Sequence, residues 1–486
     1  MDSQAGLFLK RGESGLMQLT TEQEALVHAQ GRIIRVTAYA GTGKTSSLVA
    51  WARGHPGCKT LYLAFNKSVQ LEARQRFPRW VTPKTGHALA YAAVGHAYQA
   101  KLVSHLKPAE LVSTGLLSRV PTMARMAWAD TVLQTLQAYL VSPDANIGPQ
   151  HCPLEAVDWQ GPFAWADPVR LIRDTQIVWQ CMQDPQNTHV GMVHDGYLKL
   201  YVLTRPRLPY DAILFDEAQD ANPVLLQLIQ AQTHAQQIYV GDPYQAIYGW
   251  RGAIDAMSQL RPDADLRLTA SFRFGSTLAA WATRLLHRRD PALPPLTGRA
   301  PQRGHVYAGI GTAPLTVVGR SNSGLFAEAV SWLDRVAPQG LHWVGGIDGY
   351  HLDWLQDTAR LWLGDPVRHP FLQLFPDFDA LQEYAHTVED VEWQGRCRAV
   401  ERWGGRLPAL IRRVQNQVRE PAAAPVHVST IHKAKGLEWP HVVILNDLAE
   451  LTPDLSAEDH HLWYVAMTRA TQQLGLPDTA WTQLQA

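Results

Sequence analysis

The chain has 486 residues, 46% of them hydrophobic and 18% charged, with a formal net charge of zero. That length exceeds one ordinary core, so two to four folding units are expected. The neutral balance excludes a generally basic nucleic-acid binder and leaves any such contact to a local groove. Four scattered cysteines without a CxxC pair argue against a zinc or iron–sulfur site and a disulfide framework, and fit a reducing compartment.

The N-terminal "MDSQAGLFLKRGESG" lacks a basic-then-apolar signal pattern, and no apolar run approaches the roughly 18 residues of a membrane span. A cytoplasmic protein without a membrane partner is expected. In chain order, "GRIIRVTAYAGTGKTSSLVAWA" then predicts strand, glycine loop and helix. "KTLYLAFN", "YDAILFDEAQD" and "QQIYVGD" predict further short strands ending in polar residues, the pattern of a parallel α/β sheet.

Between Ala88 and about Asp184 the sequence turns Ala-rich and helical. Trp128, Val132, Leu136 and Tyr139, spaced 4, 4 and 3 apart, predict a buried helix face. A second strand set follows in "LTVVGRSN", "LHWVGG", "VHVSTIH" and "HVVILND", interrupted by a Trp- and Arg-rich helical stretch from His351 to about Glu420. "EPAAAP" then reads as a linker. The expected plan is α/β, with two parallel-sheet cores each interrupted by a mostly helical insertion. The expected bounds are 1–90 with 185–265 for the first core and 91–184 for its insertion. For the second core they are 266–350 with 426–486, and 351–425 for its insertion.

"AYAGTGKT" (Ala38–Thr45) carries the strongest chemistry. It fits a P-loop except that Ala38 stands where the template has glycine. Backbone N–H groups of Ala40, Gly41, Thr42 and Gly43 would cradle phosphates at a helix N-terminus. Lys44 would contact the β- and γ-phosphates, and the Thr45 hydroxyl would bind magnesium. Asp216 and Glu217 end an apolar strand. Asp216 suits the metal, and Glu217 suits a general base for water. ATP and Mg2+ are the cofactors this implies. In "GDPYQAIYGWRGA", Gln245 lies just past a strand end, placed to sense a γ-phosphate, while Tyr248, Trp250 and Arg251 follow within six residues. Trp250 offers a π-face that stacks any base, so the segment is expected to couple the two ligands.

With these motifs in order, the chain resembles the UvrD/Rep-like branch of superfamily 1 DNA helicases, and among them the compact F-box-helicase type. "LTTEQEALVHA", "LYLAFNKSV", "TGHALAY", "HDGYLKL", "LTASFRFG", "VSTIHKAKGLEWPHVVIL" and "EDHHLWYVAMTRA" extend the likeness over nearly the whole chain. The resemblance implies two RecA-like P-loop cores. It implies that Gln23 reads adenine, Phe272 stacks on it and Glu438 meets the ribose. Arg273 and Arg469 would stabilise charge on the transferred phosphoryl group. Phe65, Asn66 and His87 in the first core, and Thr430, His432 and Lys433 in the second, would contact the DNA strand.

The chain departs from the pattern at Ala38, at the adjacent His460 and His461, and in its short insertions. No nuclease domain or F-box is expected after Thr471. The implied function is a single-stranded DNA translocase and helicase with 3′ to 5′ polarity, acting at single-strand/duplex junctions. Two alternatives stay open: a translocase that displaces proteins with little unwinding, and an ATP-switched regulatory or defence subunit with an unknown protein partner.

Overall fold

A computed structural model describes residues 9–10, 16–154, 164–249, 256–337, 339–387 and 390–485. The chain forms two compact units. One comprises Met1–Ala38 and Gly43–Leu268; the other comprises Tyr39–Thr42 and Thr269–Ala486.

The first unit is built on six parallel strands: β1 (Ile33–Ala38), β2 (Thr60–Ala64), β3 (Val81–Thr85), β4 (Ala212–Phe215), β5 (Gln236–Gly241) and β6 (Ala264–Leu268). Their order across the sheet is β6-β1-β5-β4-β2-β3. β2 and β4 read as near-continuous apolar runs, as strands buried on both faces do, and every residue of both is buried. The edges read differently. β3 carries Pro83, which an edge strand tolerates because one side needs no N–H donor. β6 alternates polar and apolar, and its Asp265 pairs with Arg35 of β1 at 2.6 Å.

The parallel order brings the carboxyl ends of β1, β5 and β4 together in one row, with Thr37 opposite Gly241 and Phe215 opposite Tyr239. That row bears the glycine loop, the "GDPYQ" turn and the acidic turn, in that spatial order.

The segment after β3 is helical, with long helices at Arg125–Val141 and Pro168–Gln183. The exception is Leu102–Val103, which pairs with Met192–Val193. Trp128, Val132, Leu136 and Tyr139 form the expected stripe, each at most 2% exposed. They meet Leu171, Val178, Trp179 and Met182 of the facing helix in one core. Truncating Trp128 to alanine would cost about 3–5 kcal/mol.

The second unit has another six-stranded parallel sheet: β7 (His305–Ala308), β8 (Leu315–Gly319), β9 (Leu341–Trp343), β10 (Val426–Thr430), β11 (Trp439–Ile444) and β12 (Ala470–Leu476). The order is β7-β12-β11-β8-β10-β9. Helices from Leu352 to Asn416 share one apolar core with β8, β9 and β10, through residues such as Leu355, Val400 and Ile411 against Val317, Trp343 and Val428. Among the described residues, no helix is long and apolar enough to cross a membrane.

Candidate nucleotide and strand-binding sites

In the first unit, helix Lys44–Gly54 starts from Gly43 at φ 80°, a left-handed value that glycine adopts without strain. Lys44 Nζ meets Glu217 Oε2 at 2.6 Å. The Thr45 hydroxyl donates to Asp216 Oδ2 at 3.0 Å, and Tyr62 donates to the same oxygen at 2.7 Å. Glu217 itself has φ 53°, a conformation that costs a non-glycine residue on the order of 1 kcal/mol and clusters at functional sites.

Electrostatics follows from burial. The Asp216 carboxyl is raised above the usual range by burial and then by the charge of Glu217, against the opposing pull of Lys44. Burial pushes Asp242 up to about 6, although Lys44 and a hydrogen bond from Gln245 oppose the shift. For Lys44 burial acts downward, yet Glu217, Asp216 and Asp242 together raise it. A permanent ammonium thus sits among three carboxyl groups. A hydroxyl beside a carboxylate is also a donor set that suits a hard divalent cation sharing its shell with phosphate oxygens, so Thr45 and Asp216 fit magnesium.

Two residues that the sequence reading passed over tie this site together. Gln219 donates from Nε2 to Glu217 Oε2 at 2.6 Å and to Asp220 Oδ2 at 3.2 Å, while its Oε1 accepts the Asp242 N–H at 3.0 Å. Asp242 in turn accepts from the Gln245 amide and from the Tyr244 N–H. Gln245 is therefore buried and held by Asp242, whose own N–H is bound by Gln219 of the acidic turn. The signal for Asp242 was a carboxyl at a strand end inside a quoted motif; for Gln219 it was an amide two residues beyond Glu217.

The strand-contact candidates of this unit fall in two places. Phe65, 47% exposed, stacks on Tyr248 with ring centroids 6.1 Å apart and planes 15° from parallel. Asn66 beside it caps helix Lys67–Arg76, accepting the Val69 N–H at 3.0 Å. Ala64 lies opposite Thr85 in the sheet, so His87 follows the neighbouring strand end. Its Nε2 meets Asp195 Oδ1 at 3.0 Å, and Gln137 donates to the other oxygen at 3.2 Å. Burial raises the Asp195 carboxyl, but these bonds and the imidazole charge hold it below the usual value. Trp250 and Arg251 lie outside the described residues. Gln23 is 1% exposed in a capping box, its Oε1 accepting the Thr20 N–H at 3.1 Å.

In the second unit, the Ala40 N–H donates to the Tyr464 hydroxyl at 3.1 Å, and the Phe272 N–H donates to the Gly41 carbonyl at 2.8 Å. Thr42 folds its hydroxyl onto the Tyr39 carbonyl at 2.8 Å. Phe272 is 45% exposed. Arg273 pairs with Glu438 at 2.7 Å and donates to the Thr468 carbonyl at 3.0 Å, so two residues assigned separately to phosphate and ribose meet each other. Arg469 is 1% exposed, donating to the Val465 and Leu437 carbonyls and to the Thr468 hydroxyl.

Thr430 caps the short helix Ile431–Ala434, which carries the half-buried His432. Lys433 lies 3.6 Å from the centre of the Tyr350 ring and donates to the Gly349 carbonyl at 3.0 Å. Burial lowers its affinity for a proton. His460 donates from Nε2 to the Leu285 carbonyl at 2.8 Å.

Comparison with known proteins agrees with this layout. Residues 192–265 match the UvrD/REP helicase N-terminal domain, and residues 425–476 match the UvrD-like helicase C-terminal domain. The chain is similar to F-box DNA helicase 1 of Gallus gallus, 31% identical over 94% of this chain and 49% of that protein. It is also similar to F-box DNA helicase protein 1 of Schizosaccharomyces pombe, 29% identical over 95% of this chain and 57% of that protein. It thus spans about half the length of the relatives it matches.

Proposed function

We propose that the chain, which carries matches to the UvrD/REP helicase N-terminal and UvrD-like helicase C-terminal domains, is an ATP- and magnesium-dependent motor on single-stranded DNA that unwinds duplex at a junction, with 3′ to 5′ polarity. The observation that carries the reading is the meeting of Lys44 and Thr45 with Glu217 and Asp216 at the carboxyl ends of one parallel sheet. On this reading 91–184 and 351–425 are the two helical insertions of the motor.

Magnesium held by Thr45 and Asp216 would neutralise phosphate charge. Lys44 exchanges its bond to Glu217 for phosphate oxygens, because both are anionic partners of one ammonium. That exchange leaves Glu217 a free carboxylate able to orient a water and take its proton. Arg273 and Arg469 serve as the transition-state arginines, with Gln23, Phe272 and Glu438 on the nucleoside. Gln245 answers the state of the γ-phosphate. The same short loop reaches Tyr248, Trp250 and Arg251, so hydrolysis shifts a base-stacking surface shared with Phe65. Asn66, His87, Thr430, His432 and Lys433 position the strand backbone.

The test is steady-state ATPase with and without single-stranded DNA, in wild type, Lys44→Ala and Trp250→Ala. Strong stimulation by the strand, lost in Trp250→Ala, together with no turnover in Lys44→Ala, supports the motor. Turnover indifferent to DNA sinks it. Unwinding of 3′-tailed over 5′-tailed junctions then reads the polarity.

A further inference from the structure

Gln219 is 1% exposed, and each polar atom of its side chain is engaged. Nε2 holds Glu217 and Asp220; Oε1 holds the backbone N–H of Asp242. One neutral amide therefore bridges the acidic turn after β4 and the turn after β5. The second turn continues through the Asp242–Gln245 bond to Tyr248, which stacks on Phe65.

The backbone makes room for this bridge. A Cβ placed on Gly241 would lie 2.6 Å from Gln219 Oε1 and 3.1 Å from its backbone nitrogen. Gly241 is not among the positive-φ residues, so what it supplies is space for the amide. Both the amide and the space that admits it are needed for a bond between the two turns.

We propose that Gln219 is a positioning residue of the hydrolytic site, resting on the motor reading above, and that its amide is the link through which the two turns move together. Glu217 is held by Lys44 and by Gln219. Once a nucleotide phosphate takes Lys44, Gln219 keeps Glu217 aimed. The same amide keeps Asp242, and with it Gln245, in step with Glu217. A carboxylate cannot replace it, because Glu at 219 would set a third acid against Glu217 and Asp220 and would remove the Nε2 donor. Asparagine is one methylene shorter and cannot span both turns.

The experiment compares wild type, Gln219→Leu, Gln219→Glu and Gly241→Ala, each checked for folding by thermal melting. Turnover is measured against ATP concentration, with and without oligo-dT. Expected for Gln219→Leu and Gln219→Glu is a fall in kcat of about tenfold or more with ATP KM within about twofold, and a reduced ratio of strand-stimulated to basal turnover. Gly241→Ala retains every polar group and is expected to show the same signature more weakly. A role in stability alone would lower the melting temperature and leave the ratio intact. A ratio and kcat within about twofold of wild type in folded Gln219→Leu overturn the proposal. The wild-type samples judge the motor reading separately. If wild-type turnover ignores oligo-dT, that reading falls while kcat at constant KM still decides whether Gln219 aims Glu217. If wild type does not hydrolyse ATP, both fall.

Discussion

Lys44 and Glu217 close an ion pair at 2.6 Å, so each of the groups assigned to phosphate and to water holds the other in place. Removing the charge of Glu217 while preserving its shape frees the ammonium for an anionic ligand and deletes the base. Glu217→Gln is therefore expected to bind a non-hydrolysable ATP analogue as tightly as wild type, or a fewfold more tightly. Its kcat is expected to fall by about 10²–10⁴-fold. Equilibrium binding and single-turnover hydrolysis on the same preparation check both halves.

The buried Asp242 carboxyl gives a pH signature of defined sign. Its folded value of about 6 lies above the ordinary 3.8, so the folded protein binds a proton more readily than the unfolded chain. The associated stability is fully present below about pH 4 and is lost as pH rises through 6. Asp242→Asn removes the group while keeping an oxygen that can accept from Gln245 and Tyr244. At pH 7.5 the variant is expected to be more stable than wild type by an amount of order 2–3 kcal/mol, and the gap should close towards pH 4.5. Melting temperatures measured at both pH values decide it. A gap independent of pH contradicts the assignment.

Arg273 and Arg469 share one proposed role yet sit in different surroundings. Arg273 holds a Glu438 carboxylate that is 55% exposed, a pairing worth at most about 1 kcal/mol. Arg469 is buried and satisfies two backbone carbonyls. Arg273→Ala should lower kcat by about a hundredfold or more with little change in melting temperature. Arg469→Ala should lower both, because orphaned buried acceptors cost about 1–3 kcal/mol each. Turnover and melting curves for the two variants separate the cases.

Much of the fold was legible because the buried strands are continuous apolar runs with polar ends: "LYLA", "AILF" and "IYVG" announce β2, β4 and β5. β3, β6, β7 and β12 went unread. "VTPKT" carries a proline, "ADLRL" alternates over only five residues, "HVYA" is four residues long, and "ATQQLGL" is half polar, so none shows the continuous apolar run that marks the others. Lys44, Thr45, Asp216 and Glu217 were legible for a similar reason, since loop chemistry at strand ends survives in sequence. The partners that aim them were not. Tyr62 reaches Asp216 across 154 positions and His87 reaches Asp195 across 108. Only the parallel strand order brings such residues together. Lys433 shows the reverse: a lysine in a binding motif whose ammonium lies on the Tyr350 ring.

The stacked pair of Phe65 and Tyr248 offers the most direct test of strand contact. Two rings 6.1 Å apart and 15° from parallel form a platform on which a base can add a further layer, and such stacking is worth about 1–3 kcal/mol per base. Phe65→Ala is expected to weaken oligo-dT binding by about 5- to 100-fold. The change should leave the salt dependence of binding as it was, because no cation is lost. ATP KM measured without DNA should stay within about twofold, since Phe65 and Tyr248 lie in the segments that follow β2 and β5 and are not among the residues assigned to the nucleotide. Titrating labelled oligo-dT at several salt concentrations separates this from a phosphate contact, which would lower the salt slope by roughly one unit. Unchanged affinity in Phe65→Ala would remove this platform from the strand path.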